Sequence, residues 1–185
     1  MISGPSGVGK GSVARAVRDR LPEVYWSVSV TTRPPRPGET EGEDYHFVSP
    51  EAFNDLMLED AFLEWAEVYG NRYGTLAHPV EEARQAGRAA LLELDVQGAL
   101  AAKARIPDAV LVFLVPRDQA QLEERLRDRG TESEASLRRR LEAAREEMGH
   151  RDQFDHVVVN DVLAEAVDQV AAILEALPTN SEESS

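Results

Sequence analysis

The sequence predicts an α/β fold in which helices pack on a mainly parallel sheet, and three observations carry that expectation. A glycine-rich loop, Gly4-Pro5-Ser6-Gly7-Val8-Gly9-Lys10-Gly11-Ser12, opens the chain and runs directly into a helical pattern. Beyond it, short apolar runs alternate with amphipathic stretches, the rhythm of strands joined by crossover helices. Two of those runs, Ala89-Ala90-Leu91-Leu92-Glu93-Leu94 and Val110 to Val115, are apolar at nearly every position, as strands covered on both faces must be.

The elements follow in order. Only Met1, Ile2 and Ser3 precede the loop, so the first strand reads as shortened, as though a few apolar residues upstream were missing. Lys10 to Arg20 reads as a helix and Val24 to Val30 as a strand. Thr31 to Glu43, rich in proline and glycine, reads as a loop before Asp44-Tyr45-His46-Phe47-Val48 resumes strand-like alternation. Ser49-Pro50-Glu51 opens a helix with a cap hydroxyl, a proline in the first turn and an acid at the positive end of the dipole. Phe62 to Val68 reads as a strand, and Pro79 to Gln85 as a short helix closed by Gly87. Val110 to Val115 is stopped by Pro116, two charged helices flank a break at Gly130-Thr131, and Phe154 to Val159 gives a last strand. In the closing helix, Val162 to Leu177, the residues Leu163, Val167, Val170, Ile173, Leu174 and Leu177 share one face, which reads as a core face. Trp26 and Trp65 read as core aromatics, and the polar tail 178–185 as disordered.

Bulk properties narrow the function. A chain of 185 residues is long enough for one domain with a real core. Cysteine is absent, which excludes disulfides, thiolate metal sites and cysteine nucleophiles and fits a reducing compartment. No segment approaches a membrane span and the N-terminus has no signal-like core, so the expected location is cytoplasmic. With 34 acidic residues against 20 basic ones the formal charge is −14, so the molecule repels nucleic acid and anionic membranes. Any polyanion it binds must meet a local concentration of arginine. The four histidines, His46, His78, His150 and His156, are scattered without ligand spacing, which argues against a zinc site.

The opening loop supplies part of that local charge. Its four glycines let backbone N–H groups converge on phosphate oxygens, the helix after it points its positive end at them, and Lys10 adds a mobile full charge. A nucleoside triphosphate is the natural occupant. Gly11 stands where Ser or Thr usually follows the lysine, so Ser12 carries the nearby hydroxyl that could face a metal ion. A second anion site is expected in Ser27-Val28-Ser29-Val30-Thr31-Thr32-Arg33-Pro34-Pro35-Arg36-Pro37-Gly38-Glu39, where two arginines are stiffened by prolines.

The loop, the Ser-x-x-x-Arg-x-x-Arg segment, Glu64-Trp65, Tyr73-Gly74-Thr75, Asp95-Val96-Gln97-Gly98 and Arg129-Gly130-Thr131 together resemble guanylate kinase, from about Ile2 to Leu177 and in the family's order. The resemblance implies a phosphate-loop kinase core (1–28 and 79–177), a small GMP-binding region (29–78) and a helical lid near 125–145. It implies that Gly4 to Ser12, Arg125 and Asn160 bind ATP, with Mg²⁺ near Ser12 and, more weakly, Glu93. Lys10, Arg129 and Arg140 would face the transferring phosphoryl group. Arg33, Arg36, Tyr45 and Tyr73 would hold the GMP phosphate, and Ser29, Glu64, Thr75 and Asp95 would surround the guanine. Taken singly, Glu64 or Tyr73 reads as structural; the set gives them a ligand.

The chemistry agrees with that assignment. Guanine presents N1–H and N2–H₂ donors beside an O6 acceptor, so the carboxylates suit the donors and the hydroxyls can serve O6. A catalytically inactive protein-binding module of the same fold would be expected to lack the intact loop, and a ribose bisphosphate phosphokinase would not need the guanine-facing set. The partners expected are ATP and GMP, with no nucleic acid and no membrane, for a monomer or homodimer in purine nucleotide metabolism.

Overall fold

The computed structural model describes residues 1–68, 70–127 and 134–177, with the side chains of 134–136 left aside. Its centre is a parallel layer in the order β2 (Tyr25–Trp26), β7 (Ala90–Leu91), β1 (Ile2–Ser3), β8 (Val112–Val115) and β9 (His156–Val159). The short β1 is stitched to its neighbours through Ile2, whose N–H donates to Leu92 O at 2.8 Å and whose carbonyl accepts from Leu94 N at 3.0 Å. The buried terminal amine of Met1 donates to Val110 O at 2.7 Å, and burial pushes it down to about 5.

Within the apolar run at 110–115, the strand is Val112–Val115, two residues shorter than expected at its start, and both its faces are buried. Val112 and Leu114 enter one core with Val13, Val17 and Val170, while Phe113 and Val115 enter the other with Val80, Ala99 and Phe154. Successive strand side chains point to opposite faces, so an unbroken apolar run serves a sheet sandwiched between helices. On one side lie α1 (Lys10–Arg20) and α7 (Leu163–Glu175); the other is covered by α3 (Ala77–Gln85) and α4 (Val96–Arg105). Phe113 and Phe154 meet at 4.7 Å between ring centroids, and burying such a side chain stabilises the fold by roughly 1.5–3 kcal/mol. On α7, Val167, Val170 and Leu174 are buried as expected, but Leu163 is 45% exposed because it sits at the helix start, beyond the sheet's cover.

A second sheet stands apart, ordered β4 (His46–Phe47), β3 (Val30–Thr31), β6 (Asn71–Leu76), β5 (Phe62–Val68), and it is mostly antiparallel. The expected single strand Val24 to Val30 is therefore two strands in two sheets. Tyr25 and Trp26 pair with β7, and Ser27 to Ser29 carry the chain across to the second layer. The strand β6 and the helix α4 were not expected. Val30, Phe53 and Phe62 form this sheet's own small core under α2 (Pro50–Leu58), with the two phenylalanine rings stacked at 4.5 Å. Gly74 of β6 passes directly over Phe62, where a Cβ would lie 2.6 Å from the ring. Trp65 is 47% exposed. It lies one position after Glu64 on the alternating strand, so turning Glu64 inward turns the indole toward solvent.

The charged helices are α5 (Gln119–Arg127) and α6 (Glu134–Met148), joined by Leu122, Leu126, Leu141 and Ala144. The break expected at Gly130-Thr131, and Arg129 with it, lies outside the described residues, as does the tail 178–185. Among the described residues no helix is long and apolar enough to cross a membrane.

Candidate active site

The glycine-rich loop leaves the end of β1 and enters α1, with Gly9 as the helix cap and Lys10 as its first residue. Gly4 has φ +146° and lies so close to β8 that a Cβ would sit 2.4 Å from Leu114 O. Only glycine fits there. Lys10 curls back over the loop, donating from Nζ to Gly4 O at 2.6 Å and Pro5 O at 3.3 Å. Three predicted residues from distant segments brace the loop. Asn160, 4% exposed at the end of β9, donates to Val8 O at 2.8 Å, and Arg125 donates to the same carbonyl at 3.0 Å. Arg140 of α6 donates to Ser6 Oγ at 3.1 Å.

The proline-stiffened loop does hold its arginine rigidly. Arg33 is 9% exposed, donates to both oxygens of Glu39 at 2.8 and 2.9 Å and to Pro34 O at 2.8 Å, and lies 5.1 Å from the Tyr45 ring centre. The hydrogen bonds with Glu39 raise the arginine further above its ordinary value and hold the Glu39 carboxyl below its own. Glu39 also accepts from the Arg36 backbone N–H at 2.7 Å, so one carboxylate shapes the whole turn. Nothing in the composition of the segment singles out Glu39 for this role. Its place three residues after Arg36 in a loop of fixed φ angles was the available signal. Arg36 is exposed on the same loop.

Between this loop and the phosphate loop lies a cavity of about 260 Å³. Lys10 and Glu93 line it, together with Ser29, Glu64 and Asp95, and the rings of Tyr45 and Tyr73 meet edge to face at 6.0 Å on its wall. Thr75, 1% exposed, sits behind the lining as the cross-strand partner of Glu64. Arg33 and Arg36 stand outside the lining. Asp95 has a second duty, capping α4 by accepting from Gly98 N at 2.6 Å. Gly98 in turn leaves room for Glu64, whose Oε2 lies 2.7 Å from where a Cβ would be.

Burial pushes the Glu64 carboxyl above its ordinary value, the Asp95 charge adds to that push, and the hydrogen bond from Thr75 opposes it. A folded-state pKa above the unfolded one means the charged carboxylate costs the native state stability once pH exceeds the raised value; that cost vanishes as pH falls below the unfolded value. Glu64→Gln should therefore raise Tm at pH 8 by about 2–4 °C, equivalent to roughly 1 kcal/mol in a chain of this size. The gain should disappear near pH 4. Thermal melts of both proteins at the two pH values check this, and equal gains at both would refute it.

The donors around the loop suit a small divalent cation that arrives with a nucleotide. Ser12 is exposed on the first turn of α1, and the Glu93 carboxylate lies 3.4 Å from where a Cβ on Gly11 would be. These are hard oxygen ligands, few in number, as Mg²⁺ accepts when phosphates and water complete its shell. Among the described residues no group of three or more metal-ligating side chains forms a cage.

Comparisons with known proteins agree over nearly the full chain. The family model described as Guanylate kinase matches residues 1–177. A guanylate kinase of Thermobifida fusca is 50% identical over 179 residues, covering 97% of this chain and 91% of the relative. One from Gloeobacter violaceus is 52% identical over 174 residues, covering 94% and 85%. The crystal structure of guanylate kinase from Anaplasma phagocytophilum superposes with a TM-score of 0.78 at 34% identity, over 95% of this chain and 82% of that one.

Proposed function

This chain belongs to the guanylate kinase family and transfers the γ-phosphoryl group of ATP to GMP, and we propose that it does so across the cavity between its two sheets. The carrying observation is that one cavity has Lys10 at the phosphate loop and the carboxylates Glu64 and Asp95 among its walls. GMP seats its base against Ser29, Glu64, Thr75 and Asp95. Its phosphate is held by Arg33, Arg36, Tyr45 and Tyr73, with Glu39 fixing the loop that presents the arginines. The second sheet, within 29–78, acts as the GMP-binding region on a core formed by 1–28 and 79–177, and the segment near 125–145 acts as the lid.

The phosphate oxygen of GMP is a competent nucleophile at neutral pH, so the protein aligns and neutralises rather than abstracting a proton. That oxygen bonds to the γ-phosphorus as the bond to the β–γ bridging oxygen breaks, giving ADP and GDP. Residues Gly4 to Ser12 cradle the ATP phosphates, with Arg125 and Asn160 bracing the loop on the adenine side. Lys10, Arg140 and Arg129 neutralise charge spreading over the transferring group; Arg129 lies outside the described residues. Ser12, with Glu93 nearby, would hold Mg²⁺, which would add positive charge beside the ATP phosphates when bound. The protein works on small nucleotides in the cytoplasm, as a monomer or homodimer.

Coupled ADP release, with Mg·ATP as donor and GMP, AMP, CMP or UMP as acceptor, tests the reading. Turnover with GMP at least about 10³-fold more efficient than with AMP is expected, since a site built for hydrogen-bonding groups rejects analogues that leave them unpaired. Comparable turnover with AMP would overturn the assignment of the base-facing set.

A further inference from the structure

The loop's Pro5–Ser6 peptide is gripped at both ends of its dipole. Its N–H donates to Glu147 Oε2 at 2.9 Å. Its carbonyl accepts from Lys10 Nζ at 3.3 Å and from Val8 N at 3.2 Å. A peptide unit is planar, so fixing the direction of the N–H fixes that of the carbonyl, and with it one of the two oxygens on which Lys10 rests. Proline at position 5 holds its own φ, which leaves rotation about the bonds flanking that peptide as the main freedom to be removed. Glu147 removes it.

The same helix grips Ser6 a second time. Arg140 and Glu147 are seven residues apart, two turns along one face of α6. Ala144 lies between them on that face, fully buried against Leu122 and Leu126. The packing of α6 on α5 thus sets where both side chains reach the loop: the guanidinium of Arg140 at the Ser6 hydroxyl, the carboxylate of Glu147 at the Ser6 N–H.

We infer that Glu147 is a positioning residue for phosphoryl transfer, which sets the Pro5–Ser6 peptide and through it the loop shape and the resting place of Lys10. The inference rests on the reading of the loop as the ATP site. It predicts a selective defect: the ATP half of the site depends on this peptide, whereas the GMP half is built mostly on the other sheet, with Asp95 at the start of α4.

Steady-state kinetics with each substrate varied in turn tests it. Glu147→Ala should lower kcat/KM for ATP by about tenfold or more, as expected for loss of a hydrogen bond to a charged group, with KM for GMP changed less than twofold. Glu147→Gln keeps an acceptor oxygen at the same reach and should recover activity to within about threefold of the parent. Exposed Glu146 on the same helix serves as control, and Glu146→Ala should behave as the parent. Parent-like ATP kinetics in Glu147→Ala would overturn the inference. So would equal losses for both substrates with a lowered Tm, or a Gln variant as impaired as Ala. Lys10→Ala in the same assay separates the two levels. If it spares ATP use, the reading of the loop falls and this inference with it; if it abolishes ATP use while Glu147→Ala does not, only the role of Glu147 falls.

Discussion

Lys10→Ala is expected to lower kcat by about 10³-fold while leaving the fold and GMP binding intact. The ammonium is the full positive charge that the loop itself carries. Losing a preorganised group aimed at charge that develops in the transition state typically costs 10²–10³ in rate, and a lysine replaced outright falls at the upper end. The folded state loses little by the change. Lys10 donates to Gly4 O and Pro5 O, and Pro5 O keeps a donor in Val8 N. Single-turnover transfer, with circular dichroism and a GMP titration on the same sample, checks both halves. A variant within tenfold of the parent would remove Lys10 from the chemistry.

Glu64→Ala is expected to act on the other substrate. It removes a buried acceptor that faces the cavity and hydrogen-bonds Thr75, so guanine donors and the Thr75 hydroxyl both lose a partner. Unpaired buried polar groups cost about 1–3 kcal/mol each, more where one partner is charged. The Thr75 loss is common to the free and bound enzyme and costs stability only, so the lost guanine contact to a charged group places the fall in kcat/KM for GMP at about 10–10²-fold. KM for ATP should change less than twofold, because Glu64 belongs to β5 and the phosphate loop is braced by β9, α5 and α6. An equal loss for both substrates would instead show that Glu64 supports the fold.

How much of this was legible depended on whether the signal was local. The helix at Lys10–Arg20 and the strand at Phe62–Val68 appear with the expected bounds, since each is set by its own periodicity and by the residues that start or stop it. The run at 24–30 failed differently. Its residues are extended, as the pattern says, but extended backbone does not declare its neighbours, and Ser27 to Ser29 change sheets without breaking the run. β6 was missed because Asn71, Arg72 and Gly74 look like loop composition; as the inner strand of a small sheet, it takes its stability from cross-strand pairing with β5 and β3. The exposed Trp65 shows that an aromatic residue next to a functional carboxylate can be displaced outward by strand alternation.

The candidate site was more legible than the fold's details, because motif residues carry their chemistry with them. Lys10, Ser29, Tyr45, Glu64, Tyr73 and Asp95, spread over 86 positions from the first to the last, line one cavity. Glu39 and Glu147 carried no comparable signal. Glu39 receives N–H groups of its own turn and Glu147 one from the distant loop, and an acidic residue that binds a backbone 141 positions away looks in sequence like any charged helix surface.

If the carboxylates of Glu64 and Asp95 read guanine through its donors, the ratio of kcat/KM for GMP over inosine monophosphate reports it. Inosine monophosphate keeps N1–H and O6 but lacks the 2-amino group, so the parent enzyme should prefer GMP by at least about 10²-fold. In Glu64→Ala that preference should shrink to within about tenfold. A preference for GMP that survives Glu64→Ala undiminished would show that guanine is recognised by groups other than these.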